Sequence, residues 1–334
     1  MGNTFHIAVS CNERYVFGAL VALAGVAVYA KRETLLVFHV FTEDVKQESI
    51  YFMRSTLKRL RPTVEFRHHA CDDELLAGLP YWAGSRMAAV RCHYATLMPD
   101  VDWCLYLDCD VLYLACVEEH FSYRDESVYA CVVQEEAART RNDERLWIRE
   151  NCGVIITDEL YFNSGVVLFN LKKMRVDGIP EKLTQFFRCH PDVPSPDQDA
   201  LNATFKGNVK VIPPKFDRLQ IFLTDAKLAE RPIVHYVSGN PWIPKLGVVM
   251  NGRFVLWHAF VDKYITGRRG ESIRRFPLYM RVAKRVCYMV LRLPIVGRMV
   301  AALFQFMGLT QDAREWRFCQ VGNDCSKGQI EGII

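Results

Sequence analysis

Two carboxylates, Asp108 and Asp110, stand at spacing i, i+2 between the apolar runs Leu105-Tyr106-Leu107 and Val111-Leu112-Tyr113-Leu114. Buried strands exclude acids, because an unpaired buried charge is very costly. Two acids at a strand end therefore ask for a cation. Hard oxygen ligands suit Mg²⁺ or Mn²⁺, which also take phosphate oxygens. Taken alone, the pair reads equally well as a strand that stops in a turn, with two acids capping the next element.

Four other blocks carry residues of matching chemistry. Tyr161-Phe162-Asn163-Ser164-Gly165-Val166 runs a small polar turn into an apolar strand. Ser195-Pro196-Asp197-Gln198-Asp199 puts two acids and an amide at a helix start, where carboxylates are favoured. Ile233-Val234-His235 ends a strand with an imidazole, a metal ligand in many proteins. Arg91 precedes Asp108 on a stretch that leads into the same strand. Each has a plainer reading: His235 as a satisfied strand end, Arg91 as a paired surface residue, Asp197 as a helix cap, Asn163 as a turn residue.

These residues need a scaffold. Phe5–Ser10, Leu35–Phe41, Val64–Phe66, Trp103–Leu107 and Val128–Val133 read as strands. Val16–Ala30, Val45–Leu60 and Met87–Leu97 read as helices between them. Such alternation predicts a mostly parallel α/β sheet, and ligands on such sheets collect beyond the carboxyl ends of strands. Ser10-Cys11-Asn12 and Asp108-Cys109-Asp110 both fall at such ends. Val16–Ala30 is too short to span a bilayer comfortably and is expected to be a buried helix rather than a signal sequence. The stretch 134–160 reads as a long charged loop able to cover a cleft.

In order and combination, these blocks resemble glycosyltransferase family 8, over about Phe5 to Trp242. The family contains retaining galactosyl- and glucosyltransferases of bacterial lipopolysaccharide, and glycogenin. The resemblance implies an α/β GT-A fold, a Rossmann-like, nucleotide-sugar-binding mixed sheet flanked by helices. It implies a UDP-glucose or UDP-galactose donor, a glycan or lipid-linked acceptor, and Mn²⁺ (or Mg²⁺). The family's metal ligands fall on Asp108, Asp110 and His235. Its nucleotide pocket falls on Ala8, Ser10, Asn12 and Tyr15, with Tyr15 placed to stack on uracil. Its donor-sugar contacts fall on Arg91, Asn163, Ser164, Gly165, Asp197 and Gln198. Cys109, between the acids, and Gly239 and Lys245, after His235, complete the expected donor contacts. Gln198, Asp197 and Arg91 are the expected catalytic residues: attack and departure on one face of the sugar, with Gln198 beneath the anomeric carbon. Two departures stand out. Asn12 occupies a position where the family often has Asp. The usual His-x-x-Gly-x-x-Lys-Pro-Trp reads here as His235-Tyr236-Val237-Ser238-Gly239-Asn240-Pro241-Trp242, without the phosphate-binding lysine, and Lys245 is the expected substitute.

The 334 residues suffice for one large domain with an appendage, and the net charge of +4 is unevenly distributed. From Ile265 onward there are 12 Lys and Arg against 5 Asp and Glu. Between Arg268 and Arg298, nine basic groups alternate with apolar residues and face a single acid, Glu271. The expected organisation is a catalytic domain over 1–262 and a basic, helical, amphipathic tail over 263–334 that lies on an anionic membrane surface. A hairpin packed on the catalytic domain is the alternative for the tail. No nucleic-acid motif accompanies the charge. The 12 cysteines form no Cys-x-x-Cys pair, so reduced core thiols in a cytoplasmic protein are expected, peripheral on the inner face of the membrane. Two other functions fit the departures: transfer to a soluble or protein acceptor, and nucleotide-sugar binding without catalysis.

Overall fold

The computed structural model describes residues 4–82, 84–135, 142–237, 239–243, 254–268, 270–274, 276–282 and 286. In chain order the elements of its first unit are β1 (Thr4–Asn12), α1 (Val16–Tyr29), β2 (Leu35–Glu43), α2 (Gln47–Leu60), β3 (Glu65–Ala70), α3 (Asp73–Leu76), α4 (Tyr94–Leu97) and β4 (Trp103–Leu107). They continue with β5 (Val111–Tyr113), α5 (Val117–Phe121), β6 (Ala130–Gln134), α6 (Asn142–Cys152), β7 (Phe162–Asn170), α7 (Leu171–Val176), α8 (Ile179–Cys189) and α9 (Pro196–Phe205). Strands β8 (Val209–Val211) and β9 (Arg218–Leu219) come next. After helix α10 (Asp225–Ala229), which belongs to the second unit, β10 (Ile233–His235) closes the first. By compactness the first unit is Met1–Leu219 with Glu230–His235, and the second is Gln220–Ala229 with Tyr236–Ile334.

Seven strands form one sheet in the order β3-β2-β1-β4-β7-β6-β8. The first four are parallel, as the helix-strand alternation predicts. The sheet then changes character: β7 is antiparallel to both β4 and β6, and β6 is parallel to β8. The result is a mixed sheet. Its antiparallel step brings the start of β7 beside the end of β4, with Leu107 opposite Val166. A smaller sheet, β5-β10-β9, sets His235 opposite Val111.

Helix α1 is apolar on every face, which suits burial on all sides. Ten of its fourteen residues are buried. Gly25 lets it approach β5 closely: a Cβ there would collide with the Tyr113 carbonyl and lie 2.9 Å from the Tyr113 Cβ. The stretch 134–160, expected as a loop, contains helix α6. Asp143 and Glu144 lie in its first turn, where the helix dipole favours acids. Trp147 packs edge-on against the rings of Phe186 and His190. The helix expected over Met87–Leu97 is wound more tightly, as a 3₁₀ turn over Ala89–His93 leading into α4. This winding stacks positions i and i+3, and it puts Arg91 and Tyr94 on one side.

The second unit contributes helix α11 (Val255–Phe260), a wider turn over Val261–Thr266 and a short helix Glu271–Arg274. Asp262 holds this region together by accepting from the Gly270 and Ser272 amides. Phe276 and Met280 are buried, while Leu278 and Tyr279 are exposed. Most of the basic tail, including Arg292 and Arg298, lies outside the described residues.

Three imidazoles cross the parallel strands in a hydrogen-bonded row. His6 Nδ1 lies 3.0 Å from His39 Nε2, and His39 Nδ1 lies 3.2 Å from His69 Nε2. When the rings are neutral, each gives one N–H and one lone pair to the row, and burial lowers the pKa of all three. Burial, reinforced by His6, His69 and Arg67, pushes the His39 pKa down to about 3. A base whose pKa is lowered on folding binds protons better when unfolded. Stability is therefore full above the unfolded value near 6.5 and falls as pH drops toward 3. Equilibrium urea unfolding at pH 7 and pH 5 is expected to show a loss of about 2 kcal/mol attributable to His39. His39→Gln keeps a donor and an acceptor without titrating, and is expected to flatten this dependence. An unchanged slope in the variant would place the acid sensitivity elsewhere.

Candidate active site

Asp108 follows directly from the end of β4, and its amide donates to the Gly165 carbonyl at 2.7 Å. That bond extends the antiparallel contact by one residue and fixes the direction of the Asp108 side chain. The two oxygens of its carboxylate have different partners. Oδ1 accepts from Arg91 at 2.6 Å and also from the Tyr106 hydroxyl. Oδ2 is turned toward His235 Nε2, at 3.7 Å. Asp110 Oδ1 lies 3.3 Å from the same nitrogen. Asp108, Asp110 and His235 each offer a ligand atom, and these atoms lie within 4.8 Å of one another.

His235 is oriented from behind. Its Nδ1 lies 2.9 Å from Oδ1 of Asp217, a buried acid between Phe216 and β9. A carboxylate on one imidazole nitrogen fixes the tautomer and directs the other nitrogen to a metal. Burial opposes charge on His235, but Asp217 and Asp110 outweigh it and hold the imidazole pKa well above the usual range. Burial in turn pushes Asp217 up to about 6, with His235 pulling the other way. Burial also raises the pKa of Asp108 against the opposing pull of Arg91. The residues present thus fit a hard divalent cation: two carboxylates, one oriented imidazole, and a surplus of negative charge that a cation would relieve.

Arg91 is the hub of the site. Its guanidinium is 3 % exposed, bonds Asp108, lies 3.2 Å from Asp197 Oδ2 and donates to the Ser164 carbonyl at 2.6 Å. It sits over the Tyr106 ring, 4.0 Å from the centroid. Burial works against its charge, but Asp108 and Asp197 keep it protonated. Ser164 Oγ donates to Asp197 at 2.8 Å, and the Ser164 amide donates to Gln198 Oε1 at 3.1 Å. Helix α9 delivers Asp197, Gln198 and Asp199 from its first turn, all buried. Asn163 accepts from the Gly165 amide and donates to Glu135 at 2.8 Å each.

The expected nucleotide residues lie along β1. Ser10 Oγ is 2.5 Å from the Tyr94 hydroxyl, and Cys109 Sγ donates to the Ser10 carbonyl at 3.3 Å. Asn12 closes a turn: its side chain accepts from the Arg14 amide and its carbonyl from the Tyr15 amide. Tyr15 sits immediately before α1, with the Arg14 guanidinium beside its ring. Ala8 is buried in the middle of β1, paired with β2 and β4, so it forms sheet floor. Gly239 belongs to the second unit, and Lys245 lies outside the described residues. Sequence reasoning gave no role to Asp217, Glu135 or Tyr106. Asp217 follows Pro213-Pro214, and nothing in its spacing points to His235. Glu135 follows the end of β6 as a buried acid, a signal like that of Asp108 after β4.

A family model for glycosyl transferase family 8 matches residues 6–243. The chain belongs to glycosyltransferase family 8. It is 25% identical over 223 residues to a lipopolysaccharide 1,2-glucosyltransferase of Escherichia coli, covering 64% of this chain and 62% of that protein. It is 29% identical over 156 residues to general stress protein A of Bacillus subtilis strain 168, covering 41% of this chain and 52% of that one. The matches therefore span about half to three fifths of these relatives. Among solved structures, the galactosyltransferase LgtC with donor and acceptor sugar analogues superposes with a TM-score of 0.63 at 22% identity, covering 83% of this chain and 99% of that one. The bifunctional glycosyltransferase WbbM superposes with a TM-score of 0.64 at 15% identity, covering 85% and 52%. At these identities the superpositions establish the GT-A-like fold: a mixed sheet flanked by helices.

In this family 8 chain, Gly165 of β7 lies directly against Asp108 and His235. A Cβ there would collide with His235 Cε1 and lie 2.8 Å from Asp108 Oδ2 and 2.9 Å from His235 Nδ1. Gly165→Ala must therefore displace two of the three candidate ligand side chains. Titration calorimetry with Mn²⁺ is expected to show at least a tenfold loss of affinity, the scale seen when groups that orient metal ligands are removed. Circular dichroism checks that the sheet survives. Wild-type affinity in a folded variant would move the cation site away from β7.

Proposed function

We propose that this chain is a retaining glycosyltransferase that moves glucose or galactose from a UDP-sugar to a glycan acceptor. The reading rests on one observation above all: Asp108, Asp110 and His235 converge beside a buried Arg91–Asp197–Ser164–Gln198 network. The first group suits a cation facing a diphosphate, and the second suits a sugar with several hydroxyls. Asp108, Asp110 and His235 would hold Mn²⁺ or Mg²⁺, which supplies charge neutralisation for the departing diphosphate. Asp197 binds sugar hydroxyls, and Arg91 holds Asp197 and Asp108 in register. Gln198 steadies the oxocarbenium-like sugar with its amide oxygen. The acceptor attacks the face from which UDP leaves, and a phosphate oxygen of UDP takes the acceptor proton. Ser10, Asn12 and Tyr15 hold the uridine, with Lys245 standing in for the family lysine.

The acceptor is a lipopolysaccharide or lipid-linked glycan in this reading. Its support is the Escherichia coli relative and the basic, apolar composition after Ile265. Among the described residues no helix is long and apolar enough to cross a membrane. The proposed location is the cytoplasmic face of an anionic membrane, held there peripherally by the tail from about residue 263. A second reading, nucleotide-sugar binding without turnover, is favoured by Asn12 and by the missing lysine after His235.

A panel of UDP-sugars, assayed for product with Mn²⁺ and with EDTA, separates these readings. Transfer or hydrolysis that depends on metal is expected, with one of UDP-glucose and UDP-galactose preferred. Asp108→Ala and Asp110→Ala are each expected to lower kcat by about 100-fold or more with the fold retained. Full activity in either variant with metal still required would show that the metal binds elsewhere. Tight UDP-sugar binding with no product from any donor would establish the second reading.

The full-length chain is also expected to sediment with vesicles of anionic lipid and to be released by salt. Each basic group near such a surface contributes about 1 kcal/mol before screening, and screening acts over about 8 Å at physiological ionic strength. Equal sedimentation with neutral vesicles, or none with either, would remove the tail's support for a membrane-bound acceptor.

A further inference from the structure

Gln198 is bonded at both ends of its carboxamide. Oε1 accepts from the Ser164 amide at 3.1 Å, and Nε2 donates to the Tyr161 hydroxyl at 3.0 Å. Tyr161 donates its own proton to Asp199 Oδ1 at 3.0 Å, and Asp199 Oδ2 accepts from the Ser195 amide at 2.9 Å. Tyr161 and Asp199 are fully buried and Gln198 nearly so. A phenol carries one proton. While Tyr161 commits it to an ionised Asp199, only lone pairs face Gln198, and the amide nitrogen is satisfied. The direction of every hydrogen bond in the row follows from the charge at its far end.

We propose that Tyr161 and Asp199 are positioning residues that set the hydrogen-bond polarity at Gln198 and thereby hold its amide oxygen toward β7 for sugar transfer. For its kinetic consequence, though not for the coupling itself, this inference rests on the transferase reading given above. Protonating Asp199 reverses the row. The new carboxylic O–H donates to Tyr161, because the other Asp199 oxygen must still accept from the Ser195 amide. The Tyr161 proton then points at the Gln198 N–H, and two donors oppose each other in a buried site. The carboxamide loses its anchor at the nitrogen end.

Asp199 is poised for this change. Burial is the main cause that lifts its pKa to about 7, with Glu144 of α6 and Asp197 of α9 adding to it. The Ser195 amide and the Tyr161 hydroxyl pull the other way. The Cys152 thiol of α6 also senses the Asp199 charge. The row therefore titrates in the neutral range, through a residue that the mechanism does not otherwise use.

Two measurements test this. In the wild-type enzyme kcat is expected to fall as one proton is added below about pH 7. Asp199→Asn turns its oxygen to the Ser195 amide and presents an N–H to Tyr161, making the reversed polarity permanent. Its kcat is expected to be roughly tenfold or more below wild type at pH 8 and to lack the acidic limb. Tyr161→Phe should behave alike, with KM for the UDP-sugar within about twofold of wild type, since transition-state positioning rather than uniform binding is lost. Wild-type kcat at pH 8, or a retained acidic limb, in either folded variant would overturn the inference. The second measurement needs no turnover. The Gln198 side-chain amide ¹⁵N resonance, identified by its absence in Gln198→Ala, is expected to shift with a midpoint near pH 7. A resonance that does not move between pH 5.5 and 8.5 overturns the inference whatever the activity. If it titrates in a protein that makes no product from any donor, the coupling stands and the transferase reading falls.

Discussion

Arg91 lies between Asp108 and Asp197 with almost no contact with water. An isolated buried carboxylate would protonate or unfold the region around it. Arg91 supplies a counter-charge to two carboxylates at once, and its five donors in a fixed plane let it reach the Ser164 carbonyl as well. A lysine could carry the charge but not the geometry. Because Arg91 takes Oδ1 of Asp108, the other oxygen is left facing His235. Because it takes Asp197, the first turn of α9 is drawn against β7. The Asp108–Asp110–His235 side and the Asp197–Gln198 side of the candidate site are thus two ends of one ion-pair cluster.

The mixed topology serves the same end. Four parallel strands would gather only their carboxyl ends at one edge. Strand β7 runs the other way, so its amino-terminal residues Asn163, Ser164 and Gly165 meet the carboxyl end of β4. The site therefore combines the backbone of one strand's start with the side chains beyond another strand's end. The small sheet then brings His235 against Val111, just after the acid pair. Without the antiparallel step, the polar turn and the acid pair would lie at opposite edges.

Much of this is legible in the residues. Apolar runs bounded by turns mark β1, α1, β2 and β4 within a few positions, because each is buried on both faces and has no competing pattern. The acid pair is legible because acids at the end of a buried strand contradict their surroundings. Asp217 is not, since its meaning comes from contact with His235 across the small sheet, and no local spacing encodes that. Helix α6 is hidden for a different reason: charged residues dominate its sequence, and few of its side chains face the core. The tight 3₁₀ winding before α4 reads as ordinary helix, because helical periodicity hardly distinguishes three residues per turn from 3.6 over one turn. The role of Tyr161 cannot be read at all, since it depends on where a single proton points.

Gly25 lies in a helix with no charged side chain, yet helix α1 can approach Tyr113 only because that position lacks a Cβ. Strand β5 ends at Tyr113, and its partner strand carries His235. The depth at which α1 seats is therefore transmitted, through two paired strands, to the placement of an imidazole. A glycine with no chemistry of its own thus bears on the geometry around a titratable ring two strands away.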